Sequence, residues 1–353
     1  MAVANEATRR LGIEHPIIQG PFGGGLSTVP LAALVAETGG LGSYGAHALP
    51  PEKIGTVVQE IRAATNRPFA VNLWVSDHDP GALDISAEEF ERIYAAFAPY
   101  FRELGVEKPE RPARYGQPFA GQMDALLEAR PPIVSFIFGL PDAKVLAECR
   151  RRGIATIATV TTIAEAEMAD AAGIDVIVAT GSEAGGHRPS FLASAEDSLM
   201  GTLALTALVA PRTKAPVVAA GGIADGRGVR AVMTLGAQAA QIGTAFLACA
   251  ESGTTDEHRD ILFSQRARAT TLTRAFTGRL ARGVRNRWTD EIAPSLGAIP
   301  PYPVQSWFLS RLRPAAIAAK RTDLVSLWSG QAAPNLRHRG AAELMAALIG
   351  ELG

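Results

Sequence analysis

The chain has 353 residues, 47% of them hydrophobic and 20% charged, with a formal net charge of −1 at pH 7. It is long enough to bury a sizeable core and too apolar to remain disordered. The near-neutral balance gives no footing for a polyanion or an anionic membrane, so neither nucleic-acid nor membrane binding is expected.

Two cysteines, Cys149 and Cys249, stand far apart and outside any metal or redox spacing. Free thiols in a reducing compartment are expected, and residues 1–16 lack the apolar core of a signal peptide, which points to the cytoplasm. Ala231 to Ala250 carries no charge. It is rich in Ala, Gly, Gln and Thr and changes period at Gly236, so it reads as a buried helix end followed by a buried strand, not a membrane span.

Taken in order, the chain alternates short apolar runs with helical patterns. Ile17 to Phe22 is a strand ending in Gly-Pro, and Pro30 to Thr38 a helix closed by Gly39-Gly40. Leu41 to Gly45 is the second strand, Pro51 to Thr65 a second helix, and Phe69 to Val75 the third strand. Such alternation means βα units and a parallel sheet. The rhythm then stalls over an insertion, residues 77–130, with helical patterns at Ala87 to Leu104 and Gln122 to Ala129 around a Pro-rich charged linker. Extra chain of this kind after a strand end commonly forms a lid or subdomain over a site.

The rhythm resumes with strands at Ile133 to Gly139, Ala155 to Val160, Asp175 to Ala179, Pro216 to Ile223 and Ala239 to Phe246. Helices are expected between them at Asp142 to Arg152, Ile163 to Ala172, Gly201 to Val209 and Gly228 to Leu235, with Asp256 to Gln265 as the eighth. Eight βα units in about 250 residues is the arithmetic of a (β/α)₈ TIM barrel. An open doubly wound sheet is the rival. Beyond Arg266 the chain turns basic and irregular, with helical patterns at Pro314 to Lys320 and Ala341 to Leu352. Residues 1–285 are expected as the barrel with its insertion, and 286–353 as a C-terminal helical extension packed on it.

In such a barrel the strand C-termini share one face. Thr180 to Phe191 there is a loop of three glycines around one imidazole, His187, followed by Arg188. A neutral imidazole with a pKa of about 6.5 is a ready base. Arg188 is given no part in chemistry, only loop anchoring. Gly221-Gly222 and Gly243-Thr244 end the seventh and eighth strands, where barrels often bind phosphate through free backbone N–H groups. Neither has Walker or dinucleotide spacing. Asn72 breaks an apolar strand, either as a capping amide or as a hydrogen-bonding edge for a flat heterocycle. His47 follows strand two, within reach of the same face. His15, His258 and His338 look peripheral, and Asp77-His78-Asp79 makes a poor metal site, so no metal is expected.

Pro16 to Phe22, Val71 to Leu73, Gly181 to Arg188, Ala219 to Gly228 and Gln241 to Thr244 together resemble the nitronate monooxygenase family, formerly called 2-nitropropane dioxygenases, over residues 10–285. The resemblance implies an FMN-dependent barrel enzyme that oxidises alkyl nitronates, and nitroalkanes, with O2 to carbonyl compounds and nitrite. It implies His187 as catalytic base. It implies FMN contacts at Gln19, Gly20, Pro21, Asn72, Thr180, Gly185, Gly186, Gly221, Gly222, Gln241, Ile242, Gly243 and Thr244. The partners would be a small nitro compound and O2, and a homo-oligomer is compatible with the sequence. The chain departs from the family pattern at Thr180, where many relatives carry glutamine, and in the length and charge of the insertion. Competing expectations are an FMN- and NAD(P)H-dependent enoyl reductase, a flavin-binding protein without activity, and a sugar-phosphate barrel without flavin.

Overall fold

The computed structural model describes residues 4–76, 79, 85–295 and 297–352. Asp77 and His78, which open the expected insertion, lie outside them. Eight parallel strands form the central sheet: β1 (Ile17–Gln19), β2 (Gly42–Gly45), β3 (Phe69–Trp74), β4 (Ile133–Ile137), β5 (Ala155–Val160), β6 (Val176–Thr180), β8 (Val217–Ala220) and β9 (Ala239–Ile242). Between β6 and β8 lies the two-residue β7 (Gly186–His187), followed after the barrel by β10 (Thr270–Thr273) and β11 (Ala281–Val284). The spatial order β1-β9-β8-β6-β5-β4-β3-β2 runs round the barrel. It closes between β1 and the start of β2, where Leu41 N donates to Ile17 O and Gln19 N to Leu41 O, each at 2.9 Å. The expected (β/α)₈ barrel is the observed fold.

Strand parity sorts the core into two layers, because successive side chains point to opposite faces. Ile18, Ala70, Ile133, Ile157, Val176, Val178, Val218 and Ala239 fill the barrel interior with Leu11 and Ile13. Their neighbours Val71, Val134, Ala158, Ile177 and Val217 face the helices outside. The helices start where local chemistry predicts. Asp142 caps Ala143–Arg152 through Val145 N, and Thr162 forms a capping box with Glu165 at Ile163–Ala171.

Several boundaries move. The expected strand Ala239 to Phe246 stops at Ile242, and Thr244–Leu247 is a helical turn. A buried apolar run carries no periodicity that separates the two states. The insertion's second helix is longer than expected, Phe119–Ala129, and packs beside Pro51–Ala64 in the outer ring. Helix Val304–Ala318 runs through Pro314 instead of starting at it. A short N-terminal helix, Glu6–Leu11, absent from the sequence-based expectation, plugs the bottom of the barrel.

The stretch expected to be irregular holds the antiparallel pair β10–β11, and β11 also pairs with β7, Ala281 opposite His187. The long helix of the insertion, Ala87–Glu103, packs on the C-terminal helix Val304–Ala318. Phe90, Phe97 and Phe101 meet Trp288, Trp307 and Phe308 in one aromatic cluster, with Phe97 stacked on Phe308 at 5.1 Å and on Trp288 at 5.8 Å. Segments about 200 residues apart thus share a core beside the barrel. Truncating Phe97→Ala should cost about 3–5 kcal/mol of unfolding free energy by urea titration. A loss below about 1 kcal/mol would mean that this cluster does not bind the two segments together.

Candidate active site

A cavity of about 380 Å³ opens at the C-terminal ends of the strands. The expected residues Gly20, Pro21, Thr180, Gly185, Gly186, His187, Gly221, Gly222, Gln241, Gly243 and Thr244 all line it. Gln19, Asn72 and Ile242 do not. Parity accounts for two of these: Ile242 packs among the outer-layer residues with Val35 and Ala240. The Gln19 carboxamide accepts from Ser43 N at 2.8 Å and donates to Gly20 O, so it serves the β1–β2 seam. Asn72 points inward, but its Nδ2 donates to Ser135 Oγ at 3.0 Å and Ser135 O at 3.1 Å.

The glycines act in two ways. At Gly185 a Cβ would stand 2.5 Å from Gly330 N, and at Gly181 it would collide with Thr202. Those two are required by protein packing and not by a ligand. At Gly243, in contrast, a Cβ would meet nothing nearer than Phe22 Cε1 at 4.0 Å, so the glycine keeps cavity space clear. Gly222, at φ 69°, holds a backbone conformation that side chains resist.

His187 is held on several sides. Its backbone pairs with Ala281 in the small sheet. Its Nε2 lies 2.8 Å from Thr277 Oγ1. Trp74, Trp328 and Phe138 surround the ring with centroids at 4.9, 5.2 and 6.0 Å. The next residue points the other way: Arg188, 4% exposed, gives its guanidinium to the carbonyls of Ser198 (2.7 Å from Nε), Thr161 (3.2 Å) and Thr180. The buried Glu165 carboxylate completes the anchor, accepting from Phe191 N at 2.6 Å and Leu192 N at 3.1 Å on one oxygen and from Thr161 on the other.

Behind the aromatic wall sits Arg279. Its guanidinium lies 3.5 Å from the Phe138 centroid and 4.5 Å from that of Tyr302, and pairs with Asp79. Phe138 itself is a non-glycine residue at φ 65°, a strained conformation of the kind that gathers at functional sites. Burial, then the Arg279 charge, then His47, hold the His187 pKa well below the usual histidine range. Burial and Arg279 likewise push His47 down to about 3. Both imidazoles are therefore neutral at pH 7. The C-terminal extension adds Ser306, Ser310, Arg313, Ser326 and Trp328 to the cavity wall. Arg313 donates to Gly24 O at 2.6 Å and has no carboxylate partner among the described residues. Among those residues, no three His, Cys, Asp or Glu side chains group as a metal ion would need.

Thr277, Arg279, Arg313 and Trp328 are invisible to a motif reading, since each reaches the cavity from sequence far from the Gly-rich loop. The β-branched run Thr270 to Thr273 was a usable strand signal. His258, expected as peripheral, is buried; its Nε2 donates to Trp328 O at 3.0 Å, and burial pushes its pKa down to about 4.

Residues 5–351 match the family model described as nitronate monooxygenase. A nitronate monooxygenase of Pseudomonas aeruginosa is 43% identical over 349 residues, 98% of each chain. One from Paraburkholderia phytofirmans is 42% identical over 351 residues, 97% of this chain and 93% of the relative. The crystal structure of nitroalkane oxidase from Streptomyces ansochromogenes superposes with a TM-score of 0.86 at 37% identity, covering 99% of this chain and 98% of that one. FabK from Thermotoga maritima gives 0.76 at 27% identity, covering 99% and 96%.

Two measurements check the site's architecture. Arg188→Met strands buried carbonyls and should cost about 3 kcal/mol or more of stability, at about 1–3 kcal/mol for each group left without a partner; a neutral result would remove Arg188 as the anchor. The lowered pKa values place protonation of His47 and His258 below pH 5. Long-range ¹⁵N spectra at pH 5.5 should therefore show neutral imidazoles for both, and an imidazolium pattern for His47 would refute its buried, Arg279-facing environment.

Proposed function

The chain belongs to the nitronate monooxygenase family, and from that premise we propose that it oxidises alkyl nitronates, and neutral nitroalkanes more slowly, with FMN and O2, giving a carbonyl compound and nitrite. The observation that carries this reading is His187: a neutral imidazole on the cavity wall, fixed by Thr277 and enclosed by aromatic rings.

The residues present fit a flavin. Space kept open at Gly243, the turn at Gly222 and the helix start at Thr244 suit a phosphate. Gly20, Pro21, Thr180, Gly185, Gly186, Gly221 and Gln241 would line the remainder, with Asn72 below them and Gln19 and Ile242 holding the rim through the β1–β9 seam. When bound, the flavin supplies the electron acceptor and the route to O2.

The rest is the work of side chains. His187 takes the α-proton of a neutral nitroalkane. With Nε2 paired to Thr277, the proton is taken at Nδ1, and Nε2–H donates to Thr277 Oγ1 before and after that transfer. The aromatic wall excludes water from the proton being moved. Arg279 has two opposed effects: its field disfavours the imidazolium that forms on His187 and favours an anion in the cavity. A base of lowered pKa pulls a proton from carbon less strongly. Both effects rank the preformed nitronate above the neutral nitroalkane.

Purified protein should be yellow, and should release nitrite from ethyl nitronate in air with a higher kcat/KM than from nitroethane. His187→Asn should lower nitroethane turnover by about 10²-fold or more while sparing FMN binding and most nitronate turnover. Equal loss on both substrates would remove His187 as the base. Because the His187 pKa is lowered, the neutral form persists on the acid side of the ordinary value. The kcat/KM for nitroethane should therefore stay level as pH falls through about 6.5; an inflection there would contradict the assignment. Rapid anaerobic bleaching by NADH would overturn the monooxygenase reading in favour of a reductase.

A further inference from the structure

Two imidazoles face the cavity, and the chemistry so far uses one. His47 follows β2 and lines the same space as His187. Its ring stacks on Trp74 with centroids 3.7 Å apart and planes 6° apart. The same Trp74 meets His187 edge-on at 4.9 Å. The two rings thus share one aromatic support and look onto one stretch of cavity. Gly23 fixes the position from outside, since a Cβ there would collide with His47 Cε1.

Two other imidazoles have partners, Thr277 for His187 and Trp328 O for His258. His47 has none among the described residues, and its Nδ1 is fully buried without one. Leaving a buried polar atom unpartnered costs about 1–3 kcal/mol, and stacking on Trp74 would be served as well by phenylalanine. Packing alone therefore does not account for an imidazole here. Held neutral by its surroundings, it offers one N–H and one lone pair.

We propose that His47 is a second substrate-contacting residue, whose Nε2–H, on the ring nitrogen that is not enclosed, donates a hydrogen bond to an oxygen of the nitronate group while His187 works at the α-carbon. This rests on the nitronate reading above. When a nitroalkane reacts, the α C–H bond breaks and its proton passes to a His187 nitrogen. The electron pair forms the C=N bond, and negative charge spreads onto the two oxygens. A neutral donor already in place stabilises that charge without surrendering its own proton. A nitronate that arrives ionised meets the same donor on binding.

The probe is propanoate, a non-oxidisable carboxylate isostere of ethyl nitronate, titrated into the flavin-loaded protein and followed by visible absorbance. His47→Phe keeps the stack on Trp74 and removes both nitrogens. It should weaken propanoate binding by about 10- to 100-fold, as expected for a hydrogen bond to a charged group, and raise the KM for ethyl nitronate in step. FMN content and thermal midpoint should match the wild type. His47→Gln, which keeps an N–H donor, should recover most of the binding and guards against misfolding in the first variant. Unchanged propanoate affinity in a folded His47→Phe protein overturns the proposal. So does a loss of FMN that parallels the loss of propanoate, because the contact would then be to the cofactor. Absence of nitrite from wild-type enzyme and ethyl nitronate would instead sink the nitronate reading, an outcome distinct from either.

Discussion

The site depends on the burial of one guanidinium. Arg188 spends its donors on the carbonyls of Thr161, Thr180 and Ser198, and burial pushes its pKa down to about 10 while leaving it charged. Its carbonyl partners come from β6 and from the loops after β5 and β7, so one side chain ties three neighbouring connections together. Arg188 directly follows the two-residue strand β7 in still-paired backbone, where successive side chains point opposite ways. Driving Arg188 into the interior therefore turns His187 outward to the cavity. Arg188 N also donates to Leu280 O at 2.8 Å, which sets β7 beside β11 and brings Thr277 and Arg279 to the imidazole. The loop's glycines do less than its charge: Gly181 and Gly185 let it pack, and Arg188 with Glu165 decides where it goes.

A second dependence runs through the aromatic cluster beside the barrel. The stacking of Phe97 on Phe308 and Trp288 joins the chain inserted after β3 to the chain that follows the barrel. That union places Tyr302 beside Trp74 at 5.4 Å and over Arg279. It also seats Ser306, Ser310 and Arg313 on the cavity wall. The barrel supplies the floor and His187, while the two added segments supply the outer wall together. The outer wall of the cavity therefore comes from residues outside the (β/α) repeat.

How much of this could be read from sequence follows from the range of the interactions. The barrel was legible because each βα unit writes its own local signal, such as the Asp142 and Thr162 caps and the stops at Gly153 and Gly173. His187 was legible because a lone imidazole among glycines lies on no apolar periodic face. The parity of β1 and β9 was also present in the sequence, and it turns Gln19 and Ile242 away from the cavity. The β10–β11 pair was obscured because arginines at 274, 279 and 282 make the stretch look solvated. Arg279 and Arg282 are in fact at least partly buried, one against rings and Asp79, the other donating to Ser182 O. No local pattern reveals a partner 100 or 200 residues away.

The electrostatics make one argument. A cation is buried behind an aromatic wall, beside two imidazoles, and its carboxylate partner Asp79 leaves Oδ2 unpaired among the described residues. Had the protein needed a strong base, placing Arg279 next to His187 would work against it, since each unit by which the pKa falls weakens the base by about 1.4 kcal/mol. The arrangement makes sense if the species to be held is an anion and the imidazoles must stay neutral beside it. A protonated histidine would pair with that anion and hold it in the ground state as firmly as in the transition state, which accelerates nothing. On that reading, a neutral His47 that donates, with positive charge kept one layer behind, would favour charge that develops on oxygen over charge trapped on nitrogen.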